Sequence, residues 1–486
     1  MSNRRYLLKD FYISLAITIL LIITGGIYAQ KVWSLEDCIN YALDNNIQVK
    51  QQELNIELQQ EDYLQSKLTM LPDLNGYASH GYNWGQTIDR FTNQFATERV
   101  RSNNFYAQTS VTIFNGFQLL NTVKQSKLYL EATKYDADKF MDDISVNIAT
   151  YYLQVLYNIE SLKTAENQLE VTLQQVERTK KLVDAGTLAR GDLLTVEAQA
   201  AAEELVVVNA QNALQLSYLD LTQALDLPSP EGFEVEKPDI EIDKDIKLLP
   251  SPDNVYGYAV INRPEIKAAE ARLDASDRGL SIARGSLSPS LSLSASWGSG
   301  YSGANKIGEN PYMETIPIGY TANDVLVYSD ITQYGDYKVK PFSEQIDDNN
   351  NQTFMIHLNI PIFNGWQARS SIQKAKINRN ISEYNLALEK LNLNKLINQA
   401  YNDAESAFKK YRSAQKKVHA TEEAFKYSEQ KFNVGLITSY EYNDTKKELT
   451  SAQSELISAK YEFLFMITIL DFYMGKPISI EKYATD

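Results

Sequence analysis

The sequence is poor in the residues from which reactive sites and covalent cross-links are built. It holds one cysteine, Cys38, and three histidines in 486 residues. A single thiol excludes a disulfide framework and a cysteine-based zinc site. His80, His357 and His419 are scattered, and no paired His, Cys or carboxylate motif has metal-ligand spacing. No glycine-rich phosphate loop follows a strand-like run, and no nucleophile–base motif supports a hydrolase. The expectation is no metal, no cofactor and no enzymatic activity. Positive charge is also in deficit: 47 Lys and Arg against 62 Asp and Glu give a net charge of −15. That excludes nucleic acid as a partner, because phosphates demand a basic face. Beyond the N-terminus there is no long hydrophobic run. The most apolar stretch, "YEFLFMITILDFYMG", is interrupted by Asp471, and a membrane helix needs about eighteen unbroken apolar residues. If this chain enters a membrane, it does so as β-structure.

The N-terminus is the exception. Arg4, Arg5 and Lys9 precede the apolar "FYISLAITILLIITGG", and "IYA" stands before Gln30. Residues 1–29 are expected to be an export signal; the alternative, a retained anchor, is disfavoured by the shortness of the run. Its removal takes three positive charges and the negative Asp10, so −15 becomes −17 (−15 − 3 + 1). Cys38 in "SLEDC" lacks the small residues of a lipidation site and reads as a buried helix residue.

Proline and glycine are missing from long, specific intervals. No proline occurs from 73 to 227 or from 362 to 476, and no glycine between Gly116 and Gly186 or between Gly365 and Gly435. These intervals, rich in Leu, Lys, Glu, Gln, Ala and Asn, predict helices of about 100 Å at 1.5 Å per residue. Uncapped runs of that length imply coiled-coil-like packing. The apolar seam is narrow (Ile377, Ile381, Tyr384, Leu388, Leu391, Phe408), as in a helix wetted on more than one side.

The two intervals are copies. "IFNG" occurs at 113–116 and at 362–365. A shift of 249 residues also aligns Gln118 with Gln367, Tyr135 with Tyr384, Tyr152 with Tyr401, Gly186 with Gly435 and Pro228 with Pro477. A shift of 217 aligns Val49-Lys50 with Ile266-Lys267, Pro72 with Pro289 and Leu74 with Leu291. The chain therefore reads as a tandem duplication. The difference, 249 − 217 = 32, is an insertion in the second copy between Pro289 and Phe363. Repeat 1 spans 30–228: helix 34–70, strands about 72–82 and 104–114, long helix 117–185 and helix 192–227. An acidic, proline-rich linker covers 229–255. Repeat 2 spans 256–477: helix 256–287, strands about 289–298 and 353–363, long helix 366–434 and helix 440–474. Residues 478–486 form a tail.

The strands show period-two alternation. Phe354, Ile356, Leu358, Ile360 and Ile362 share one face, with Met355, His357, Asn359 and Pro361 on the other. Leu291, Leu293, Ala295 and Trp297 likewise oppose Ser292, Ser294 and Ser296. The matching rows Phe105, Ala107, Thr109, Val111, Ile113 and Leu74, Gly76, Ala78, His80 are weaker. A soluble sheet would give such a pattern too, but ten-residue strands split simply into apolar and polar faces suit a transmembrane barrel wall. Four strands cannot close a barrel, and an open edge cannot sit in lipid. Strands must be pooled between chains, and three copies give twelve.

With its apparent signal, duplicated helix–strand–strand–helix–helix order, "FNG" after the second strand and "VGLIT" at a helix tip, the chain resembles the TolC-like outer-membrane efflux proteins. The resemblance runs from "SLEDCINYALDNN" to "MGKP". It implies a mixed α and β fold: a homotrimeric channel-tunnel with four transmembrane strands per chain in a twelve-stranded barrel. Long antiparallel helices would continue it as a periplasmic α-barrel, with 229–255 in an equatorial belt. It further implies an exit duct in the outer membrane of a Gram-negative bacterium, extending into the periplasm. Outer-membrane lipid, a periplasmic adaptor and an inner-membrane pump would be its partners. The alternatives are a type I protein-secretion duct, with the same tunnel, and a soluble periplasmic coiled-coil scaffold.

Each helix tip, "KKLVDAGTLARGDLL" and "EQKFNVGLITSYEYND", has a glycine suited to a left-handed cap. The resemblance implies an adaptor-docking rim at Gly186, Thr187, Leu188, Gly435, Leu436, Ile437 and Thr438. It also places Glu441 and Asp444, six and nine residues after Gly435, at the periplasmic entrance constriction. Three apart, they share a helix face. Around a three-fold axis they would make six carboxylates that attract cations, with some pKa values raised by crowding. Glu stands at 441 where the family pattern has Asp, and no arginine follows Gly435, so a latch built on such an arginine is not expected. Phe114, Asn115, Gly116, Phe363, Asn364 and Gly365 mark the strand-to-helix boundary, at the periplasmic edge of the bilayer. The insertion is expected to be an extracellular loop.

Overall fold

The structure, a computed structural model, describes residues 32–97, 99–238, 242 and 249–480. The expected export signal (1–29), residues 239–241 and 243–248 of the linker, and 481–486 of the tail lie outside the described residues.

In chain order, β1 (Val32–Trp33) leads to α1 (Leu35–Asn45) and α2 (Ile47–Leu68). Then come β2 (Asp73–Asn83), the small hairpin of β3 (Thr87–Ile88) and β4 (Phe95–Ala96), and β5 (Val100–Phe114). The long helix α3 (Gln118–Asp184) is followed by α4 (Arg190–Ala224) and β6 (Glu234–Val235). The second half runs α5 (Pro252–Asn262), α6 (Pro264–Gly285), β7 (Ser290–Ser302), β8 (Lys306–Tyr320), β9 (Leu326–Val339), α7 (Phe342–Asp348), β10 (Asn351–Asn359), α8 (Gln367–Asn433) and α9 (Ser439–Tyr473). Both α3 and α8 have 67 residues and both α4 and α9 have 35. Their bounds differ by 249 throughout, the same offset that relates the sequence motifs.

The chain divides into two compact units. One contains Gln59–Leu130 and Arg272–Glu383. Its centre is an antiparallel sheet in the order β10-β7-β5-β2. The β2–β5 pairing (Tyr77 opposite Tyr106) becomes the β10–β7 pairing (Phe354 opposite Ala295, Met355 opposite Ser294) when both repeat offsets are applied. β5 and β7 join the two halves, with Ala107 opposite Trp297 and Thr109 opposite Ala295. One face carries Leu74, Ala107, Thr109, Ala295, Trp297, Phe354, Ile356 and Leu358, and Leu74 and Phe354 are 78% and 67% exposed. The other face carries Gln108, Ser110, Ser292, Ser294, Ser296 and His357, with His357 Nε2 3.2 Å from Ser294 Oγ.

The other unit contains the described residues up to Leu58, of Glu131–Ala271 and from Tyr384 onward. Its core gathers Cys38, Ile148, Tyr152, Val155, Leu221, Leu225, Phe463 and Leu464, all essentially inaccessible. Tyr152 donates its hydroxyl proton to Glu236 O at 2.8 Å, which ties α3 to the strip formed by β1 and β6.

Three expectations need correction. The helices predicted as 34–70 and 256–287 each break once, at Asn46 and Arg263, which lie 217 apart; both are extended (ψ 130° and 133°). Asn46 caps the next helix, accepting from Gln48 N at 2.8 Å, while Arg263 precedes Pro264 and is excluded from helical ψ by the proline ring. Second, β10 stops at Asn359, not 363. Pro361 has no N–H to continue the ladder, whereas β5 reaches Phe114 through a bulge between Thr112 and Phe114. Third, the insertion is not a plain loop. β8 and β9, of 15 and 14 residues, form a long hairpin in which β-branched and aromatic residues such as Ile316, Tyr328 and Ile331 supply strand propensity.

Candidate functional site

The two helix tips are built alike. At the first, Gly186 has φ 72°, Gly186 N donates to Val183 O (2.9 Å) and Thr187 N to Leu182 O (2.9 Å). At the second, Gly435 has φ 76°, Gly435 N donates to Phe432 O (3.0 Å) and Leu436 N to Lys431 O (2.9 Å). These paired bonds satisfy the last helix carbonyls around a left-handed glycine. Their surfaces differ. Gly186, Thr187, Gly435, Leu436 and Thr438 are exposed, and Leu188 and Ile437 half-buried. The second tip adds exposed apolar side chains at Val434, Leu436 and Tyr440, each at least 70% accessible.

Glu441 and Asp444 are both exposed in the first turns of α9. Glu441 is also engaged locally. Its Oε2 accepts from Thr438 N (2.9 Å) and Thr438 Oγ1 (3.0 Å), while Glu441 N donates to Thr438 Oγ1 (3.2 Å). This reciprocal capping box starts the helix. The hydrogen bonds from Thr438 hold the Glu441 carboxyl below its ordinary value of 4.5. Within one protomer the shift is thus opposite to the rise expected from crowding. Behind them Tyr442 is buried on Phe432 (4.8 Å between rings), and burial pushes its hydroxyl up to about 12.

The two hairpins are joined by a polar seam that the sequence did not reveal. Arg178 Nη1 donates to Asn433 Oδ1 (2.5 Å) and Ser439 Oγ to Asp192 Oδ1 (3.1 Å). At its heart, the Lys446 side chain is only 5% exposed. Its ammonium donates to Gln168 O (3.1 Å), to Thr172 Oγ1 and to Glu203 Oε1 (3.3 Å). Burial lowers the Lys446 pKa and the Glu203 carboxylate opposes that shift. In the sequence Lys446 cannot be told from its neighbour Lys447, and its partner lies 243 residues away. Removing one member of a buried pair strands the other charge, typically at about 3–5 kcal/mol. Glu203→Ala is therefore expected to lower the thermal unfolding midpoint by several degrees, read by helical circular dichroism. Adding Lys446→Met should restore most of the loss.

At the strand-to-helix boundaries, Gly116 and Phe117 have φ 67° and 61°, and Gly365 and Trp366 have 61° and 71°. Asn115 Oδ1 accepts from Leu119 N (3.3 Å) and Asn364 Oδ1 from Ala368 N (3.5 Å). Phe114 stacks edge-on to Phe117, while Phe363 is 81% exposed. The environments of the glycines diverge. A Cβ on Gly116 would fall on Gly285 O and Ser288, whereas one on Gly365 would meet open space. Likewise Gln118 Nε2 donates to Ile282 O (3.1 Å), while its counterpart Gln367 is exposed.

Hairpin strands that run into 67-residue helices are the architecture of an outer-membrane channel protomer. The fold superposes on the outer membrane protein VceC of Vibrio cholerae with a TM-score of 0.71 at 16% identity, over 91% of this chain and 96% of that one. The profile of the family described as outer membrane efflux protein matches residues 38–226 and 255–475, and the chain belongs to that family. It is 20% identical over 444 residues to the outer membrane protein TolC of Vibrio cholerae, covering 91% of each. It is also 24% identical over 262 residues to the probable outer membrane lipoprotein SilC of Salmonella typhimurium, and spans only about half of that relative (53%). It is an outer-membrane protein of a family of efflux channels.

Proposed function

We propose that the chain is one protomer of a trimeric exit duct that conducts substrates passively from an inner-membrane pump and its periplasmic adaptor to the exterior. The carrying observation is that the contacts repeat 1 makes with repeat 2 at the sheet and at the strand-to-helix turn have no counterpart on repeat 2. β5 has a partner on each side, β10 on one. Gly116 is packed and Gly365 open. What fits the vacant side is repeat 1 of another copy. Residues 68 and 71, the counterparts of Gly285 and Ser288, are Leu68 and Leu71, 46% and 59% exposed. The outer ends of α8 and α2 agree: Ile377, Ile381, Leu54 and Leu58 are all more than half exposed. A ring of such protomers closes the sheet and leaves no edge in lipid, and three give twelve strands. The apolar face meets lipid, and the hydroxyl-rich face lines the lumen. A soluble scaffold has no use for Phe354, Ile356 and Leu358 at 62–67% exposure.

The helix tips then form the adaptor-docking rim, with Val434, Leu436 and Tyr440 as its apolar contacts, and Glu441 and Asp444 ring the entrance. Glutamine at 441 keeps a capping oxygen, so Glu441→Gln with Asp444→Asn removes charge without removing the helix start. In a planar bilayer, block of the wild-type channel by a polyvalent cation added on the tip side should disappear in this double variant. Block should also weaken in the wild type at acid pH, once Glu441, whose carboxyl the Thr438 hydrogen bonds hold below its ordinary value, takes up its proton. Block of equal strength in both proteins would overturn the assignment.

A further inference from the structure

At the end of the sheet remote from the "FNG" turns stand two arginines, Arg101 on the apolar face of β5 and Arg99 just before that strand, and nothing in the duct reading accounts for them. Arg101 stands opposite Tyr82. Its guanidinium lies 4.7 Å from the Tyr301 ring centre, and Nη2 donates to Tyr301 Oη at 2.8 Å. Arg99, one diagonal step away, lies 5.1 Å from the Tyr82 ring. Both arginines are exposed, and among the described residues neither has a carboxylate at ion-pair distance. Basic side chains elsewhere on the surface are commonly paired, as in Lys139–Asp143, Lys340–Asp348 and Lys417–Glu455.

Strand geometry sets their depth. Twelve residues separate Ile113 from Arg101 along β5. At about 3.3 Å per residue and the tilt usual for barrel strands, this is roughly 30 Å across the bilayer, the thickness of its hydrocarbon core. Phe114, Phe117 and Trp366 form an aromatic girdle at one end. At the other, Tyr82 is 6.0 Å from Trp84, and Tyr301 is 5.6 Å from Phe342. The arginines therefore lie among the rings of the second girdle, at the level of headgroups. Stacking on tyrosine fixes the guanidinium plane and leaves outward N–H groups for a planar or tetrahedral oxyanion.

We propose that Arg99 and Arg101, held on Tyr82 and Tyr301, bind the phosphate groups of an outer-leaflet lipid. The assignment rests on the reading that this face meets lipid. Each arginine near an anionic lipid surface is worth about a five-fold change in binding, so the pair gives about 25-fold.

The test uses the full-length protein purified from the outer membrane in detergent, titrated with bisphosphorylated lipid A and followed by native mass spectrometry. Lipid A with its phosphates removed, and inorganic phosphate alone, are the control probes. The wild type should bind the bisphosphorylated lipid about 25-fold more tightly than Arg99→Gln/Arg101→Gln. The dephosphorylated lipid should bind both proteins alike and weakly. Arg99→Lys/Arg101→Lys should lie between, keeping charge but losing the fork. Equal affinity of the wild type and the glutamine variant for bisphosphorylated lipid A overturns the proposal. So does inorganic phosphate displacing the lipid as well as lipid A itself, which marks a free-anion site. The underlying reading is scored separately on the same preparations: if carbonate releases the wild-type protein from membranes, the lipid-facing assignment fails first.

Discussion

Arginine at position 356 should remove the protein from the outer membrane, whereas arginine at position 357 should leave it there. Ile356 is 63% exposed on the apolar face of the sheet, and the proposed duct puts it near the bilayer midplane. Its neighbour His357 points to the opposite, serine-lined face. In a barrel wall, arginine on the lipid side at the midplane costs about 2–4 kcal/mol. A trimer carries the change three times, so roughly 6–12 kcal/mol is set against assembly. That is comparable to the whole stability of an ordinary domain. On the lumen side the same side chain stays hydrated and costs little. The readout is the amount of detergent-extracted, folded assembly in the outer-membrane fraction. Loss with Ile356→Arg and retention with His357→Arg is the expected pair of results. Equal loss from both would mean that the two faces are not divided between lipid and water.

The split of each strand into an apolar and a polar face was legible in the sequence because it depends only on alternation along each strand, a local property. The long helices were legible for a related reason, since breaker residues are missing for nearly seventy positions and return at Gly186 and Gly435, where φ is positive. What escaped was set by partners distant in sequence or by single backbone groups. The break at Asn46 depends on a side-chain cap and on Asp226, whose carboxylate accepts from Ile47 N at 2.8 Å. The β8–β9 hairpin was hidden because its glycines and asparagines read as loop, although Asn310 and Asp324 take left-handed φ of 56° within an otherwise paired ribbon. At the candidate site, spacing singled out Glu441 and Asp444 but could not show that Glu441 already caps its own helix. Nor could it show Lys446, whose partners come from two other helices.

Completion of the wall by another copy fixes a register as well as a neighbour. Carrying the β5–β7 pairing across with the repeat offsets of 249 and −217 places Leu358 of one protomer opposite Ala78 of the next. Within one protomer these residues lie on the two outer strands of the sheet, three strand spacings or about 14 Å apart across the sheet and further still along it, too far for a disulfide. Opposed residues of adjacent antiparallel strands are about 4.5–5.5 Å apart, inside disulfide range. The native thiol, Cys38, is fully buried and does not compete. Ala78→Cys/Leu358→Cys should oxidise in the membrane to covalent trimers on a non-reducing gel, and Tyr77→Cys/Leu358→Cys, one residue off and facing the lumen, should stay monomeric. Monomers from the first pair, or equal cross-linking by both, would contradict the account.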